Sequence, residues 1–242
     1  MTLSKQIFRK LNRIYDKLLM IVCLLMLMVS VYCFYDMWYI FDNVVDKGML
    51  KYKPTTEDGM PADSPITEDM VAWLTIDDTK IDYPVMQADD NVKYLNLNPY
   101  GEYSLSGSLF LDSRNNPKFM DDYSIIYGHH MEYGKMFGAL DSFLDEEYLK
   151  SHKSGTLIVG RNSDKIYKLE IFAAIHVNAK VSEIFDFEDA LVTQDYIEEH
   201  ADVYTQRQNK KMVGFATCTT VEPEERTVIF AYLDEGKESD IL

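Results

Sequence analysis

Cysteine is scarce in this chain. Three cysteines occur among 242 residues, and two of them, Cys23 and Cys33, lie within an apolar stretch near the N-terminus. The rest of the sequence has a single cysteine, Cys218, so an intramolecular disulfide framework is excluded there. Repeats with a period of about 20 to 50 residues are also missing, which argues against a solenoid or a propeller. The length fits one ordinary domain and a membrane segment.

Basic residues are concentrated in the first 17 positions. The formal net charge of the chain is −16. Residues 1–17 contain five basic residues and one acidic residue, a net charge of +4, which leaves −20 for the remainder. So acidic a body would repel the phosphates of a nucleic acid, which argues against nucleic acid as a partner. Most of this charge is interpreted as a solubilising surface.

An uncharged stretch runs from Leu18 to Tyr35 with the sequence LLMIVCLLMLMVSVYCFY. A helix of this length rises about 27 Å, close to the thickness of about 30 Å of the hydrocarbon core of a bilayer. The next residues are also largely apolar, and Trp38 and Tyr39 suit an interfacial aromatic belt. The pattern predicts a transmembrane signal-anchor over residues 18–41.

The charges on the two sides of this stretch predict its orientation. Basic residues precede it and acidic residues follow it, so the positive-inside rule places residues 1–17 in the cytoplasm and the chain after about residue 42 outside the cell. A cleavable signal peptide is one alternative, but Tyr35, Trp38 and Phe41 stand where a cleavage site needs small residues. A buried core helix is another, and the length of the uncharged run disfavours it. We therefore expect a single-pass protein of the cell membrane.

The segment after the anchor is polar. Residues 42–66 contain Pro54, Pro61 and Pro65, and we interpret them as a stalk with a short helix near residues 44–51. The folded domain is then predicted to cover residues 67–242.

Short apolar runs in the folded domain predict a strand-rich structure. The predicted strands are Met70–Ile76, Ile81–Met86, Ser108–Asp112, Tyr123–Tyr127, Thr156–Val159, Tyr167–Val177, Met212–Cys218 and Thr227–Leu233. Helical spacing of apolar residues occurs in two segments, Phe137–Lys150 and Phe187–Tyr204. Many strands and few helices predict a mainly β fold, either a β-barrel or a β-sandwich, with inserted helices.

Cys218 is the candidate nucleophile. It ends the apolar run MVGFATC and precedes an acidic loop, Thr219–Glu225. Rigid strand ends that open into loops commonly present reactive side chains. A nearby imidazolium or guanidinium would favour the thiolate, which is the nucleophilic form. An unpaired extracellular cysteine also occurs as an intermolecular partner, as an incidental residue or as a small buried hydrophobe on a strand.

Two adjacent histidines, His129 and His130, are the candidate acid/base partners. They follow an apolar strand in the string IIYGHHM, directly after Gly128. We expect this glycine to permit a sharp backbone exit, so that an adjacent side chain leaves the sheet surface. The other histidines, at positions 152, 176 and 200, are interpreted as ordinary surface or strand residues. Surface decoration is also the alternative for the adjacent pair.

Arg226 is the candidate cation. It follows Glu224 and Glu225 and begins the last predicted strand. A hairpin between the last two strands would place Arg226 close to Cys218, where its charge would stabilise a thiolate or an oxyanion. The alternative is a surface ion pair between Arg226 and one of the two glutamates, which would contribute little.

Together these motifs resemble the sortases, and within them class B. The segment FATCT around Cys218 resembles the family signature TLxTC, with Gly214 and Phe215 in place of its Thr and Leu. IIYGHHM resembles the class B histidine motif, whose first histidine is catalytic, and EERTVIF contains the family's arginine. Further similarity occurs in IDYPVMQ, DNVKYL and SGSLFLDSRN, so the resemblance covers residues 67–233. A long acidic helix before the cysteine-bearing strand is also typical of class B.

The resemblance implies an eight-stranded sortase-type β-barrel with inserted helices. It also implies that Cys218, His129 and Arg226 are catalytic and that a substrate groove lies beside the cysteine. By motif position, the residues expected to bind substrate are Asn91, Leu95, Tyr127 and Thr217.

The expected activity is transpeptidation through a thioester on Cys218. The enzyme would cleave an LPxTG-like sorting signal after Thr and join the acyl group to an amine of a cell wall precursor or of a pilin subunit, with pilus assembly slightly favoured. This reaction needs no metal or organic cofactor, and the lack of clusters of Cys and His ligands in the sequence agrees with this expectation. The alternatives are an extracellular cysteine peptidase that hydrolyses the same acyl-enzyme and a non-catalytic anchored adhesin or sensor domain.

Overall fold

The computed structural model describes residues 3–43, 48–55, 57–131, 134–186, 189–218 and 224–235. The chain divides into two compact units, residues 1–46 and residues 47–242. The first unit contains one long helix, and the second contains a β-barrel with short helices.

The N-terminal unit is built on helix α1, Leu3–Asn43. Within it, residues Phe8–Asp36 are long and apolar enough to cross a membrane. The large apolar side chains of this segment are exposed, as expected for a helix whose surroundings are lipid. The helix is therefore a candidate membrane span, and it contains the predicted anchor, residues 18–41. The side chains of Trp38 and Tyr39, the predicted aromatic belt, lie outside the part that the structure describes.

The second unit contains nine strands within the residues that the structure describes. They are β1 (Met70–Ile76), β2 (Asp82–Met86), β3 (Leu109–Leu111), β4 (Tyr123–His129), β5 (Ser154–Val159), β6 (Lys165–Asn178), β7 (Val203–Tyr204), β8 (Met212–Cys218) and β9 (Glu225–Glu235). All eight predicted strands are present, with ends that differ by a few residues.

Eight of these strands close into a barrel. They pair in the order β5–β1–β2–β3–β4–β8–β9–β6, and a further pairing between β5 and β6 completes the circle. The β2–β3 and β4–β8 pairs are parallel, and the other pairs of the barrel are antiparallel. The short strand β7 pairs with β6 from outside this circle. The predicted eight-stranded barrel is confirmed, and the β-sandwich alternative is wrong.

The parallel strands β4 and β8 are buried on both faces. Ile125 and Ile126 of β4 point to opposite faces, as do Phe215 and Ala216 of β8, and all four side chains are fully buried. Near-continuous apolar runs are typical of strands that are covered on both sides. One covering layer comes from Ile184 and other apolar residues of the helical segment between β6 and β8.

Three α-helices are described in this unit, α2 (Glu146–Ser151), α3 (Ser182–Phe185) and α4 (Ala190–His200). The predicted helix Phe137–Lys150 is divided into a 3₁₀ helix, Phe137–Leu144, and α2. The division occurs at Asp145, which adopts an extended conformation and accepts the N–H of Tyr148 at 2.8 Å as the N-cap of α2.

The second predicted helix, Phe187–Tyr204, is too long at its C-terminal end. Helix α4 ends at His200, and the last two predicted residues form β7, where they pair with Ala173 and Ala174 of β6. Tertiary pairing with an available strand edge prevails there over the helical pattern. Residues 187–188 lie outside the described residues.

Residues of the predicted stalk pack against the barrel. Lys53 Nζ donates to Thr75 Oγ1 at 2.7 Å and to Asp82 Oδ1 at 2.9 Å. Met60 and Ile66 are buried in the same apolar cluster as Trp73 of β1. The described residues between 48 and 66 are thus part of the second unit, since they bury apolar side chains that a solvated stalk would leave exposed.

Some predicted features fall on residues outside the described part. They are residues 44–47 of the short helix, of which a 3₁₀ helix at Met49–Tyr52 is described, residues 219–223 of the acidic loop, and residues 236–242 of the predicted domain.

Gly128 is inside β4 and leaves no room for a side chain. The strand continues through it in register, with Gly128 paired to Thr217 and His129 to Cys218, so the predicted sharp backbone exit is wrong. A Cβ at this position would overlap Leu109 Cδ2 and would lie 2.6 Å from Phe137 Cδ2. Because Gly128 has no side chain, Leu109 of β3 and Phe137 of the 3₁₀ helix can pack closely against the backbone of β4.

We expect Gly128→Ala to lower the free energy of unfolding by about 1–3 kcal/mol, the usual cost of overpacking. Urea unfolding of the barrel unit measures the change. Ser142→Ala, at an exposed position of the 3₁₀ helix, is the control and is expected to stay within about 0.5 kcal/mol of the parent protein. Equal stability of Gly128→Ala and the parent would show that the barrel relaxes there without cost.

Candidate active site

The register between β4 and β8 places His129 beside Cys218. These two residues are partners at the end of a parallel pairing that extends over seven residue pairs. Neighbouring strands lie about 4.8 Å apart, and the side chains of register partners share a face of the sheet. The N–H of His130 donates to the carbonyl oxygen of Cys218 at 3.2 Å, which holds the two strand ends together immediately beyond the pair.

The register between β8 and β9 brings Arg226 to the other side of Cys218. The antiparallel pairing ends at Ala216 and Val228, and the same register continued by two residues would place Cys218 opposite Arg226. The strands remain joined there because the N–H of Thr227 donates to Thr217 Oγ1 at 3.0 Å. Arg226 is close enough for its charge to lower the pKa of Cys218.

His129, Cys218 and Arg226 thus share one face of three adjacent strands, with the cysteine in the middle. Inward from them, the same face carries Tyr127, Ala216 and Val228, which belong to the apolar cluster covered by the helical segment. The three polar side chains lie at the edge of this cluster, and each is partly exposed. This edge combines an apolar floor, which excludes water, with access for a substrate.

Burial and charge shift the two titrating groups in opposite directions. Burial raises the pKa of the Cys218 thiol, and the charge of Arg226 offsets part of this increase. Burial lowers the pKa of the His129 imidazole, and the neighbouring His130 lowers it further. Both shifts favour the neutral form, so the neutral thiol and imidazole predominate near neutral pH and the thiolate–imidazolium pair is the minor species.

The alternative partners of Arg226 are engaged elsewhere. Glu224 accepts from Lys180 Nζ at 2.6 Å, and Glu225 Oε1 accepts from Asn178 Nδ2 at 3.3 Å. Arg226 itself donates to the main-chain oxygen of Glu225 at 3.4 Å. It forms no ion pair with either glutamate, both of which the structure describes, and its charge lowers the pKa of Cys218.

Two of the predicted groove residues meet at Asp112. Asn91 Nδ2 donates to Asp112 Oδ2 at 2.8 Å, and the Tyr127 hydroxyl donates to the same oxygen at 3.2 Å. Asn91 Oδ1 in turn accepts the N–H of Ser113 at 2.8 Å. The amide of Asn91 is therefore fixed in orientation, which leaves one N–H and one lone pair for another partner.

The other two predicted groove residues differ in exposure. Leu95 ends a 3₁₀ helix and is 38% exposed. Thr217 is fully buried, and its hydroxyl accepts the N–H of Thr227. In the structure Thr217 thus joins β8 to β9. Its predicted contact with substrate stays a prediction.

The network around Asp112 was not predicted from the sequence. Its side chain is fully buried, and Arg114 donates to it from the main-chain N, Nε and Nη2, at 3.0, 2.9 and 3.1 Å. Burial acts to raise the pKa of Asp112, but the Arg114 bonds prevail and the pKa is lowered overall. Arg114 Nη2 also donates to the carbonyl oxygen of Phe185 at 3.0 Å, which ties this network to α3. The spacing of Asp112 and Arg114 in LDSRN, two residues apart, was the sequence signal for the bonds between them.

We expect Asp112→Asn to lower the free energy of unfolding at pH 7 by about 2 kcal/mol, because hydrogen bonds to a charged group are lost. Since folding lowers the pKa of Asp112, its stabilisation is present above the unfolded pKa of about 4 and is lost as the pH falls through the folded value. Denaturant unfolding from pH 7 downward should therefore show a shallower acid dependence in the variant. Asp63→Asn, at an exposed carboxylate, is the control, and an acid dependence unchanged in Asp112→Asn would contradict the assignment.

We expect Cys218 to react with iodoacetamide with a pH midpoint above the value of about 8.5 for a free thiol. Arg226→Ala should raise the midpoint further, because the charge that lowers the pKa of Cys218 is removed, whereas Arg226→Lys should retain most of the effect. Peptide-resolved mass spectrometry separates Cys218 from Cys23 and Cys33, and Arg207→Ala provides a surface control. A midpoint unchanged by Arg226→Ala would contradict the inference that the charge of this arginine stabilises the Cys218 thiolate.

Comparison with known proteins agrees with this geometry. The family model described as Sortase domain matches residues 74–234, which include His129, Cys218 and Arg226. The Sortase B of Listeria monocytogenes is 36% identical over 172 residues, which cover 66% of this chain and 67% of that protein.

Solved structures show the same fold. A class B sortase of Streptococcus pyogenes involved in pilus biogenesis superposes with a TM-score of 0.64 at 34% identity, covering 69% of this chain and 92% of that chain. Sortase B of Staphylococcus aureus, in a complex with substrate, superposes with a TM-score of 0.64 at 28% identity, covering 71% of this chain and 82% of that chain. The chain therefore belongs to the sortase family, and within it to class B.

Proposed function

We propose that this chain is a cysteine transpeptidase that cleaves an LPxTG-like sorting signal after Thr and joins the acyl group to an amine. The observation that carries the proposal is the position of Cys218 between His129 and Arg226, on one face of three adjacent strands. This arrangement supplies a nucleophile, a proton donor and acceptor, and a fixed cation, which are the groups that acyl transfer needs.

The first transfer forms a thioester. The Cys218 thiolate attacks the carbonyl carbon of Thr in the sorting signal, and Arg226 stabilises the negative charge that develops on the carbonyl oxygen. The imidazolium of His129 donates its proton to the leaving nitrogen as the C–N bond breaks. The products are a thioester on Cys218 and the free amine of the departing peptide.

The second transfer resolves the thioester. An incoming amine attacks the same carbonyl carbon, neutral His129 accepts the proton of this amine, and the Cys218 thiolate leaves as the new amide forms. If water attacked instead, the product would be a free carboxylic acid. The thiolate–imidazolium pair is re-formed at the end of the cycle.

The protonation states needed for attack follow from the pKa shifts. The reactive thiolate–imidazolium pair is a minor species in the free protein, because burial disfavours both charges. Arg226 increases the reactive fraction by stabilising the thiolate. Low intrinsic reactivity of this kind suits a nucleophile that is exposed to solvent outside the cell, since adventitious reactions follow thiolate content.

Asn91, Leu95 and Tyr127 are proposed to line the substrate groove, with Thr217 behind the nucleophile. The shared contact of Asn91 and Tyr127 with Asp112 supports this assignment, since it holds a polar amide and an aromatic ring in fixed relation. An extended peptide would find hydrogen-bonding capacity at Asn91 and an apolar contact at the partly exposed Leu95.

The proposed topology is a single membrane span with the N-terminus in the cytoplasm and the catalytic domain outside. It is supported by the candidate span in α1 and by the basic residues that precede it. In the proposed organisation residues 1–17 are cytoplasmic, residues 18–41 anchor the protein, residues 42–66 follow the anchor and residues 67–242 form the catalytic domain.

The proposed partners are sorting-signal-bearing surface proteins or pilins and an amine acceptor. The acceptor is the amine of a peptidoglycan precursor in wall anchoring and a pilin lysine in pilus assembly. We favour pilus assembly, which is supported by the similarity to the class B sortase of Streptococcus pyogenes that is involved in pilus biogenesis.

The proposal is tested by incubating the protein with LPxTG-like peptides, with and without an amine acceptor. We expect an amide product when the amine is present, a thioester that can be trapped on Cys218, and loss of turnover by at least about 10³-fold in Cys218→Ala, since the covalent pathway is removed. Mass spectrometry identifies each species. The control is Ser142→Ala, which should react at the parental rate.

Two outcomes would overturn the proposal. Free acid as the sole product, with or without the amine, would identify a cysteine peptidase. A cellular function that is unchanged in Cys218→Ala would identify a non-catalytic adhesin or sensor domain.

A further inference from the structure

The carboxylate of Asp141 contacts two residues next to the proposed catalytic site. One follows His129 in the sequence and the other follows Arg226. Asp141 Oδ2 lies 2.6 Å from His130 Nε2, and Asp141 Oδ1 accepts a hydrogen bond from Thr227 Oγ1 at 2.7 Å. His130 is the neighbour of His129, and Thr227 is the neighbour of Arg226. Asp141 thus connects the end of β4 with the beginning of β9.

These contacts occur on the side of the strands that faces away from the reactive groups. Successive side chains along a strand point to opposite faces, so Thr227 points away from the face that carries Arg226. In the sheet β8 lies between β4 and β9. Asp141 therefore spans the middle strand and holds its two neighbours at a fixed separation, with Cys218 between them.

Main-chain contacts complete the connection to the cysteine. The N–H of His130 donates to the carbonyl oxygen of Cys218, and the N–H of Thr227 donates to the hydroxyl of Thr217. Each residue that bonds to Asp141 is thus also bonded to β8. A displacement of either one would be transmitted to the nucleophile or to the residue before it.

The segment that carries Asp141 is firmly anchored. In the 3₁₀ helix Phe137–Leu144, the side chains of Phe137, Leu140 and Phe143 are fully buried. The ring of Phe137 packs edge-on against Phe215 of β8, with ring centroids 6.1 Å apart. Because these apolar contacts fix the helix against the barrel, the carboxylate that projects from it is a fixed point for the strand ends.

We propose that Asp141 is a positioning residue that sets the separation of His129 and Arg226 on either side of Cys218, acting through His130 and Thr227. The predicted effect on kcat rests on the proposed function, whereas the predicted effect on the pH dependence of Cys218 alkylation does not. It also gives His130 a role distinct from that of His129: its ring is engaged by Asp141, while the ring of His129 belongs to the face of the cysteine.

The effect of losing this contact should appear in kcat more than in KM. Among the described residues, Asp141 forms hydrogen bonds with His130 and Thr227 and none with Asn91, Leu95 or Tyr127, so binding of the sorting peptide is expected to change little. Misplacement of catalytic groups by about 1 Å costs up to about 10²-fold in rate. We expect Asp141→Ala to reduce kcat by at least about tenfold while KM for the sorting peptide stays within about twofold.

Thr227→Val tests one arm of the network without changing any charge. It is expected to lower kcat by a smaller factor, and the double variant Asp141→Ala, Thr227→Val should be no slower than Asp141→Ala alone, since that arm is already lost. Ser142→Ala, on the same 3₁₀ helix, is the control and should keep parental kcat. Unfolding midpoints of all variants show that each barrel is folded, and if Asp141→Ala does not fold, His130→Gln and Thr227→Val provide the test.

The iodoacetamide profile of Cys218 separates the two proposals. If Thr227→Val displaces Arg226, the pH midpoint of alkylation rises, whether or not the protein transfers acyl groups. A protein without transfer activity in which the midpoint rises would sink the proposed function and retain the positioning role. Parental kcat in a folded Asp141→Ala variant, or a midpoint unchanged in Thr227→Val, would overturn the positioning role and leave the proposed function intact.

Discussion

The register of β4, β8 and β9 is the constraint on which the site depends. Side chains alternate between the two faces of a strand, so a slip of β4 by one residue would exchange His129 for His130 beside Cys218. The parallel pairing of β4 with β8 runs from Tyr123 and Met212 to His129 and Cys218. Apolar side chains buried along both strands therefore fix the position of a polar pair at their ends.

The two faces at these strand ends serve different purposes. One carries the groups proposed to react, over an apolar floor that raises the pKa of the thiol and lowers that of the imidazole. The other carries hydrogen bonds among side chains and main chain, centred on Asp141 and Thr217. Polar groups near a barrel interior need such partners, and here the partners are also the ties between strands.

The strands were predictable because each is a local apolar run. Their closure into an eight-stranded barrel was available only through the resemblance to a family, since the pairing of β4 with β8 joins segments that are far apart in sequence. Asp112 and Asp141 were not predicted as site residues. Among 40 acidic residues nothing local marks Asp141, and Asp112 is marked only by Arg114 two residues later, because burial and most bonding partners arise only in the folded chain.

The errors have physical causes of the same kind. Gly128 was interpreted as a residue at which the backbone leaves the strand. In the structure it continues β4, and its lack of a side chain lets Leu109 and Phe137 pack against it. The assignment of Thr217 to the substrate site, made by motif position, stays a prediction, and in the structure its hydroxyl accepts the N–H of Thr227. The C-terminal end of the second predicted helix became β7 because the edge of β6 was free to pair.

The closed order of the strands has a consequence for the proposed topology, in which the chain crosses the membrane with its catalytic domain outside. His129 is delivered long before Cys218, and Arg226 belongs to β9, which must insert between β8 and β6 to complete the circle. Contacts between distant segments form late, since closing long loops costs entropy. In the proposed topology, His129 and Cys218 would therefore become neighbours only after β8 has emerged, so a partly translocated chain would carry no assembled site.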